Sequence, residues 1–283
     1  MAQHDLTTVA HGPDLPGHAA LSSGKGGLVL THGLPSGPQA WQQLEVGALA
    51  ITPKTPAPPG LVAVCPAEAW LINCRRTAGP RSRLRQCRLV VRGDGPQAET
   101  CVFVDPDDAQ LAWLGSGRVA LLTLGCLRVY AWRAAGALKA ALSVVAELAV
   151  EDDEGHARPK LAGCPGRLAI ARPVADAPGQ WRVAFLDALL RGTGEATVLA
   201  IGEPALCFDD KDQLVVVDTR SAQWLAVAMD EGGAARVERV REARAPMAAR
   251  VLGAACFGGS LFRLAQRAFG PDAPRRLEEL AQL

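Results

Sequence analysis

The chain has 283 residues, 49% apolar and 21% charged, and its 30 basic and 29 acidic side chains leave a formal charge of +1. A balance this near neutrality excludes whole-protein electrostatics as a source of affinity for nucleic acid or an anionic membrane. The length supports a core without disulfide or metal staples, and 29 glycines with 20 prolines point to many turns rather than long helices.

From the N-terminus, Met1 to Val9 carries neither a basic nor an apolar leader, so no secretion signal is expected. The most apolar stretch, Ala137 to Val150, is broken by Lys139 and Glu147 and falls short of the roughly 18 residues that a membrane span needs. Eight cysteines dispersed along such a chain read as reduced thiols and a cytoplasmic location. The richness in Ala, Arg and Gly suggests a bacterial source.

The elements then repeat. A short apolar segment ending in Cys or another compact residue, a turn and a second apolar run recur along the chain. They read Leu61–Cys65 then Trp70-Leu-Ile, Leu111–Trp113 then Val119–Leu122, and Leu161–Cys164 then Leu168–Ile170. Ala205–Cys207 then Leu214–Val217, and Gly253–Cys256 then Leu261-Phe, complete the series, with a weaker first copy at Ala19–Ser23 then Leu28–Leu30. Aligning Cys65, Trp113, Cys164, Cys207 and Cys256 gives steps of 48, 51, 43 and 49 residues. Trp132, Trp181 and Trp224 mark a third segment in phase with these, and Trp41 occupies the matching place in the first copy.

The clearest unit starts at Pro204. Asp209 to Asp212 forms a turn of residues that bond their own backbone, Gln213 to Asp218 is a continuous β-branched run, and Gln223 to Met229 is a third strand. The fourth, Ala235 to Glu242, is heavily charged, as an outer edge is. Four strands in a unit of about 40–50 residues are the blade of a β-propeller. Units begin near 18, 60, 110, 159, 204 and 248, giving a single domain over 1–283 with about six four-stranded blades. In the sixth, Asp272 caps and Pro274 opens an expected short C-terminal helix over 272–283, with Leu277, Leu280 and Leu283 at helical spacing. Leu6 to Ala10 can supply the missing outer strand and join the two chain ends. Two segments compete with this all-β reading: Ala134 to Glu151 and Val183 to Arg191 are both acceptable as helices on propensity, which leaves an α+β fold as the alternative.

These strand–turn units, most clearly Cys207-Phe-Asp-Asp-Lys-Asp-Gln-Leu214 and Cys256-Phe-Gly-Gly-Ser-Leu261, resemble those of β-propeller repeat proteins over about Leu6 to Phe269. The Trp-Asp dipeptide of WD40 blades is absent. The chain also loosely resembles the bacterial propellers that accompany a MoxR-type AAA+ ATPase and a von Willebrand A-type partner. Such a resemblance implies a rigid binding platform. Some propellers are instead enzymes or sugar-binding proteins, and this is the alternative, with the ligand at the central channel.

No catalytic constellation stands out. Ser22 to Gly27 opens like a phosphate loop but continues Leu-Val-Leu-Thr-His, without the second Lys and the hydroxyl that such a loop needs, so a hairpin is expected. Cys65, Cys164, Cys207 and Cys256 follow the repeat period rather than the close spacing of metal ligands and read as core. Asp209, Asp210 and Asp212 lack the further ligands of a calcium loop. No cofactor, metal or catalytic residue is expected. The strongest charge feature is the run Arg75, Arg76, Arg81, Arg83, Arg85, Arg88 and Arg92, seven arginines in 18 residues with no acidic residue among them. Aromatics do not interleave them, which disfavours nucleic-acid stacking and favours an acidic protein surface as partner. The sequence therefore reads as a non-catalytic scaffold of a bacterial multi-protein assembly, with no membrane role.

Overall fold

In a computed structural model, the described residues are 4–15, 18–24, 27–33, 39–44, 55–57, 61–65, 69–76, 84–91, 97–105, 109–115, 117–123, 125–134, 140–150, 157–229, 231, 235–270 and 273–282. All regular structure among them is β. Strand β1 is His4–Leu15. The first sheet holds β2 (His18–Gly24), β3 (Gly27–Gly33), β4 (Gln39–Leu44) and β5 (Thr55–Ala57). The second holds β6 (Leu61–Cys65), β7 (Ala69–Arg76), β8 (Arg85–Val91) and β9 (Ala98–Val104). The third is β10 (Gln110–Trp113), β11 (Arg118–Thr123), β12 (Cys126–Ala134) and β13 (Ala140–Ala149). The fourth is β14 (Lys160–Cys164), β15 (Arg167–Pro173), β16 (Gln180–Asp187) and β17 (Gly192–Leu199). The fifth is β18 (Ala205–Phe208), β19 (Leu214–Val217), β20 (Ser221–Met229) and β21 (Ala235–Arg244). The sixth group is β22 (Arg250–Phe257), β23 (Ser260–Gln266) and β24 (Arg275–Gln282), completed by β1, whose pairing with β21 joins it to the fifth in one eight-stranded sheet.

The first strand of each sheet touches the first strand of the next, in the cycle β2, β6, β10, β14, β18, β22 and back to β2. Six antiparallel blades therefore surround an axis, and the fold is a β-propeller. Continuous apolar runs follow from this stacking. On β19, Leu214 and Val216 pack toward Phe185 and Trp181 of the fourth blade, while Val215 and Val217 pack toward Val251 and Leu261 of the sixth. A strand covered on both faces has no reason to alternate with polar residues. The second and third blades meet through Cys87, Leu89, Val119 and Tyr130, and the third and fourth through Leu122, Val129, Leu168 and Ile170. Where the innermost strands converge, bulk is excluded. A Cβ on Gly163 of β14 would stand 2.8 Å from the Trp113 carbonyl oxygen of β10.

The sixth blade corrects one expectation. The C-terminal helix expected over 272–283 is strand β24, which pairs with β23 from Leu261↔Leu280 to Gln266↔Arg275. Its other edge pairs antiparallel with β1, from Leu6↔Gln282 to Leu15↔Arg275. Leu277 and Leu280 suit a helical face by spacing, but in a strand they point to opposite faces. Both are buried because neighbouring blades cover both sides. Two ladders outweigh a short amphipathic pattern, which is a weak local preference. The join of the two chain ends expected at Leu6 to Ala10 is formed by β1. That strand also runs parallel to the end of β21, at His4↔Ala243 and Asp5↔Arg244.

The two segments acceptable as helices hold strands instead: Ala140–Ala149 of the Ala- and Leu-rich stretch is β13, and Val183–Asp187 of the other lies in β16, followed by a turn. Within Ser22–Gly27, Ser22–Gly24 belong to β2 and Gly27 opens β3, the two strands pairing antiparallel as far as Gly24↔Gly27, while Lys25 and Gly26 lie outside the described residues. The tryptophan marker sits in the third strand of four blades, on β4, β12, β16 and β20. Its face varies, however. Trp181 and Trp224 pack toward the following blade, whereas Trp132 packs toward the preceding one.

Candidate interaction surface

The arginine run divides in the second blade. Arg75 and Arg76 end β7, and Arg85 opens β8 directly opposite Arg76. Gln86 stands between Arg75 on one side and Phe103 of β9 on the other. Arg88 lies further along β8, exposed between the buried Cys87 and Leu89, and its Nη1 donates to Glu99 Oε2 at 3.2 Å. Arg81, Arg83 and Arg92 lie outside the described residues. The fold thus gathers Arg75, Arg76 and Arg85 at one end of the blade and engages Arg88 elsewhere.

Two apolar residues missed by the charge-based reading lie at the same end. Phe103 is 63% exposed, and Leu84, immediately before β8, is 47% exposed. The legible signal was in β9 itself: Val102 and Val104 alternate inward, which places Phe103 at an outward position normally given to a polar residue.

The cysteine marker occupies the turn ends of the innermost strands. Cys164 is the last residue of β14, while Cys207 and Cys256 are the penultimate residues of β18 and β22, an offset of one position. Cys207 and Cys256 face each other across the seam between the fifth and sixth blades, Sγ to Sγ 3.6 Å. That hydrogen bond, followed by burial, pushes the Cys207 thiol well up. Burial, reinforced by the Asp212 carboxylate, pushes the Cys164 thiol up to about 12.

These shifts have a definite sign. The folded chain keeps the Cys164 proton that the unfolded chain loses near its ordinary value of 9.0. The associated stability is complete below that pH and drains away as pH rises toward 12. Cys164→Ala is therefore expected to flatten the alkaline fall of the urea-unfolding midpoint. An unchanged slope would contradict the assignment.

The acidic turn is structural. Asp209 Oδ1 accepts from Lys211 N and Gln213 N, both at 2.9 Å, closing its own turn. Asp210 Oδ2 reaches the sixth blade and accepts from Gly259 N at 2.9 Å. Asp212 faces back toward Cys164 of the fourth blade. The three carboxylates therefore splay across three blades rather than converge. Among the described residues, no three His, Cys, Asp or Glu side chains are grouped as metal ligands.

No protein-family model and no curated protein matches the chain. Among solved structures it is similar to Kluyvelomyces marxianus Hsv2, with TM-score 0.46 and 11% identity over 83% of this chain and 73% of that one. It is also similar to a chain of the mitotic checkpoint complex, with TM-score 0.47 and 10% identity over 99% of this chain and 93% of that one.

Proposed function

We propose that this propeller is a non-catalytic scaffold that docks an acidic protein surface on its second blade, within a bacterial multi-protein assembly. The carrying observation is the cluster at one blade end. Arg76 stands opposite Arg85, and Arg75 lies in the same cross-strand row as the exposed Phe103. The arginines supply attraction and orientation, and Phe103 and Leu84 supply the apolar contact that a charged surface alone lacks. A partnership with a MoxR-type ATPase and a von Willebrand A-type protein is one form such an assembly takes.

The test is affinity capture of partners with the wild-type chain and with a variant carrying Ser at Arg75, Arg76, Arg81, Arg83, Arg85, Arg88 and Arg92. The variant is expected to lose its principal partner, and the wild-type capture to weaken steeply between low and physiological salt. Phe103→Ala is expected to weaken the same partner about tenfold without changing the salt dependence. An unchanged partner set in the arginine variant would sink the proposal.

A further inference from the structure

A cavity of about 490 Å³ lies between the third and fourth blades, away from the arginine cluster. Its floor is a face of the fourth blade, and register explains why it is hollow. One cross-strand row reads Ile170, Ala184, Glu195, and the next Leu168, Leu186, Gly192. Ala184 and Gly192 stand where larger side chains would fill the gap to the third blade, which contributes Leu148, Ala149 and Val150 as the facing wall.

The end of the cavity is shaped by an unusual backbone. Strand β17 bulges against β16, with Phe185 opposite Gly194 and Leu186 opposite Gly192, leaving Thr193 unmatched. Just before it, Leu190 takes φ +63°, a left-handed conformation that a branched side chain rarely adopts. Asp187 holds that turn. Its Oδ1 accepts from Leu189 N at 2.8 Å and Arg191 N at 3.0 Å, and its main-chain oxygen accepts from Leu190 N at 2.9 Å. The strained turn directs Leu190 inward, where it is buried and lines the cavity.

Two opposite charges line this apolar space. Arg172, half-buried, and Glu195, exposed to solvent, both contribute to the wall. Among the described residues, neither forms an ion pair or side-chain hydrogen bond. Arg172 also stands directly opposite Arg182, a like-charged pairing that an anion would relieve. A plain carboxylate would meet Glu195 as well as Arg172, and a plain amine would meet Arg172. A molecule carrying both charges on an apolar body satisfies the two together.

We propose that this cavity binds a small zwitterion with an apolar body, the chemistry of a free apolar dipeptide. Its carboxylate lies on Arg172, its ammonium on Glu195, and its side chains against Leu148, Ile170, Leu186 and Leu190. The volume falls within the range of about 300–1,000 Å³ usual for small-molecule sites.

The test is calorimetric titration of the full chain with L-leucyl-L-phenylalanine, its N-acetylated form, its C-amidated form, and decanoate. The free dipeptide is expected to bind about tenfold or more tightly than any of the other three. Arg172→Gln should abolish the preference for a free carboxylate, and Glu195→Gln the preference for a free amine. Ala184→Leu should fill the floor and remove binding while the circular dichroism spectrum is retained. If that variant fails to fold, the Arg172 and Glu195 variants alone decide. Absence of saturable dipeptide binding, equal binding of decanoate, or affinity indifferent to both charge variants overturns the proposal.

Discussion

Glu278→Ala is expected to destabilise the protein by about 3–5 kcal/mol, a large share of the roughly 5–15 kcal/mol that holds a typical domain folded. Arg263 and Glu278 are both wholly buried. Arg263 Nε and Nη2 donate to the same carboxylate oxygen at 2.9 and 2.7 Å, and Nη2 also donates to the Pro246 carbonyl at 2.6 Å. Arg267 Nε reaches the other oxygen at 2.8 Å, while its Nη1 holds the Met247 carbonyl at 2.8 Å. The network ties β23, β24 and the segment between β21 and β22 into one knot beside the ring closure.

Burial lowers the Arg263 pKa and Glu278 opposes that shift, so losing the carboxylate leaves a desolvated cation without its counter-charge. The double replacement Arg263→Met with Glu278→Leu should recover most of the loss, because it removes both charges and keeps the volume. Urea unfolding of the three proteins checks this. A single variant costing under about 1 kcal/mol, or a double variant as weak as the single, would show that the knot is not what secures this seam.

The contrast between this knot and the repeat explains what the sequence disclosed. Blade period and turns were legible because each inner pair of strands is local. Cys207 and Leu214 are joined by a short turn whose Asp209 bonds its own backbone, and such chemistry is written in adjacent residues. The Arg263–Glu278 pair was not legible, since Arg275-Arg-Leu-Glu-Glu279 has the composition of a solvated helical segment and only the pairing of β24 with β23 and β1 buries it.

The arginine run was legible as charge, yet its division was not. Which arginines meet depends on the register between β7 and β8, where one residue of slip moves every side chain to the other face. The cavity was still further from view. It depends on Ala184 and Gly192 falling in adjacent cross-strand rows and on a bulge that no single segment encodes.

The ring closure yields the second large effect. Deleting residues 1–16 removes β1 and leaves the whole length of β24 as an unpaired edge, besides freeing the end of β21. It also uncovers the buried core around Leu6, which packs with Ala243 and Leu280. Leu6→Ala alone should cost about 2–5 kcal/mol. The deletion should do more, abolishing the single cooperative unfolding transition and driving the chain into aggregates through the open edge. Because β1 reaches its place from outside the local hairpin, a synthetic peptide of residues 1–16 added in trans is expected to restore a monomer with one transition, as strand addition to an exposed edge does. A peptide with Leu6→Asp should fail to do so, since it places a charge in the buried cluster. If the truncated chain unfolded at the wild-type midpoint without peptide, the sixth blade would owe its stability to β22–β24 and the buried ion pair, and the N-terminal strand would be dispensable to the ring.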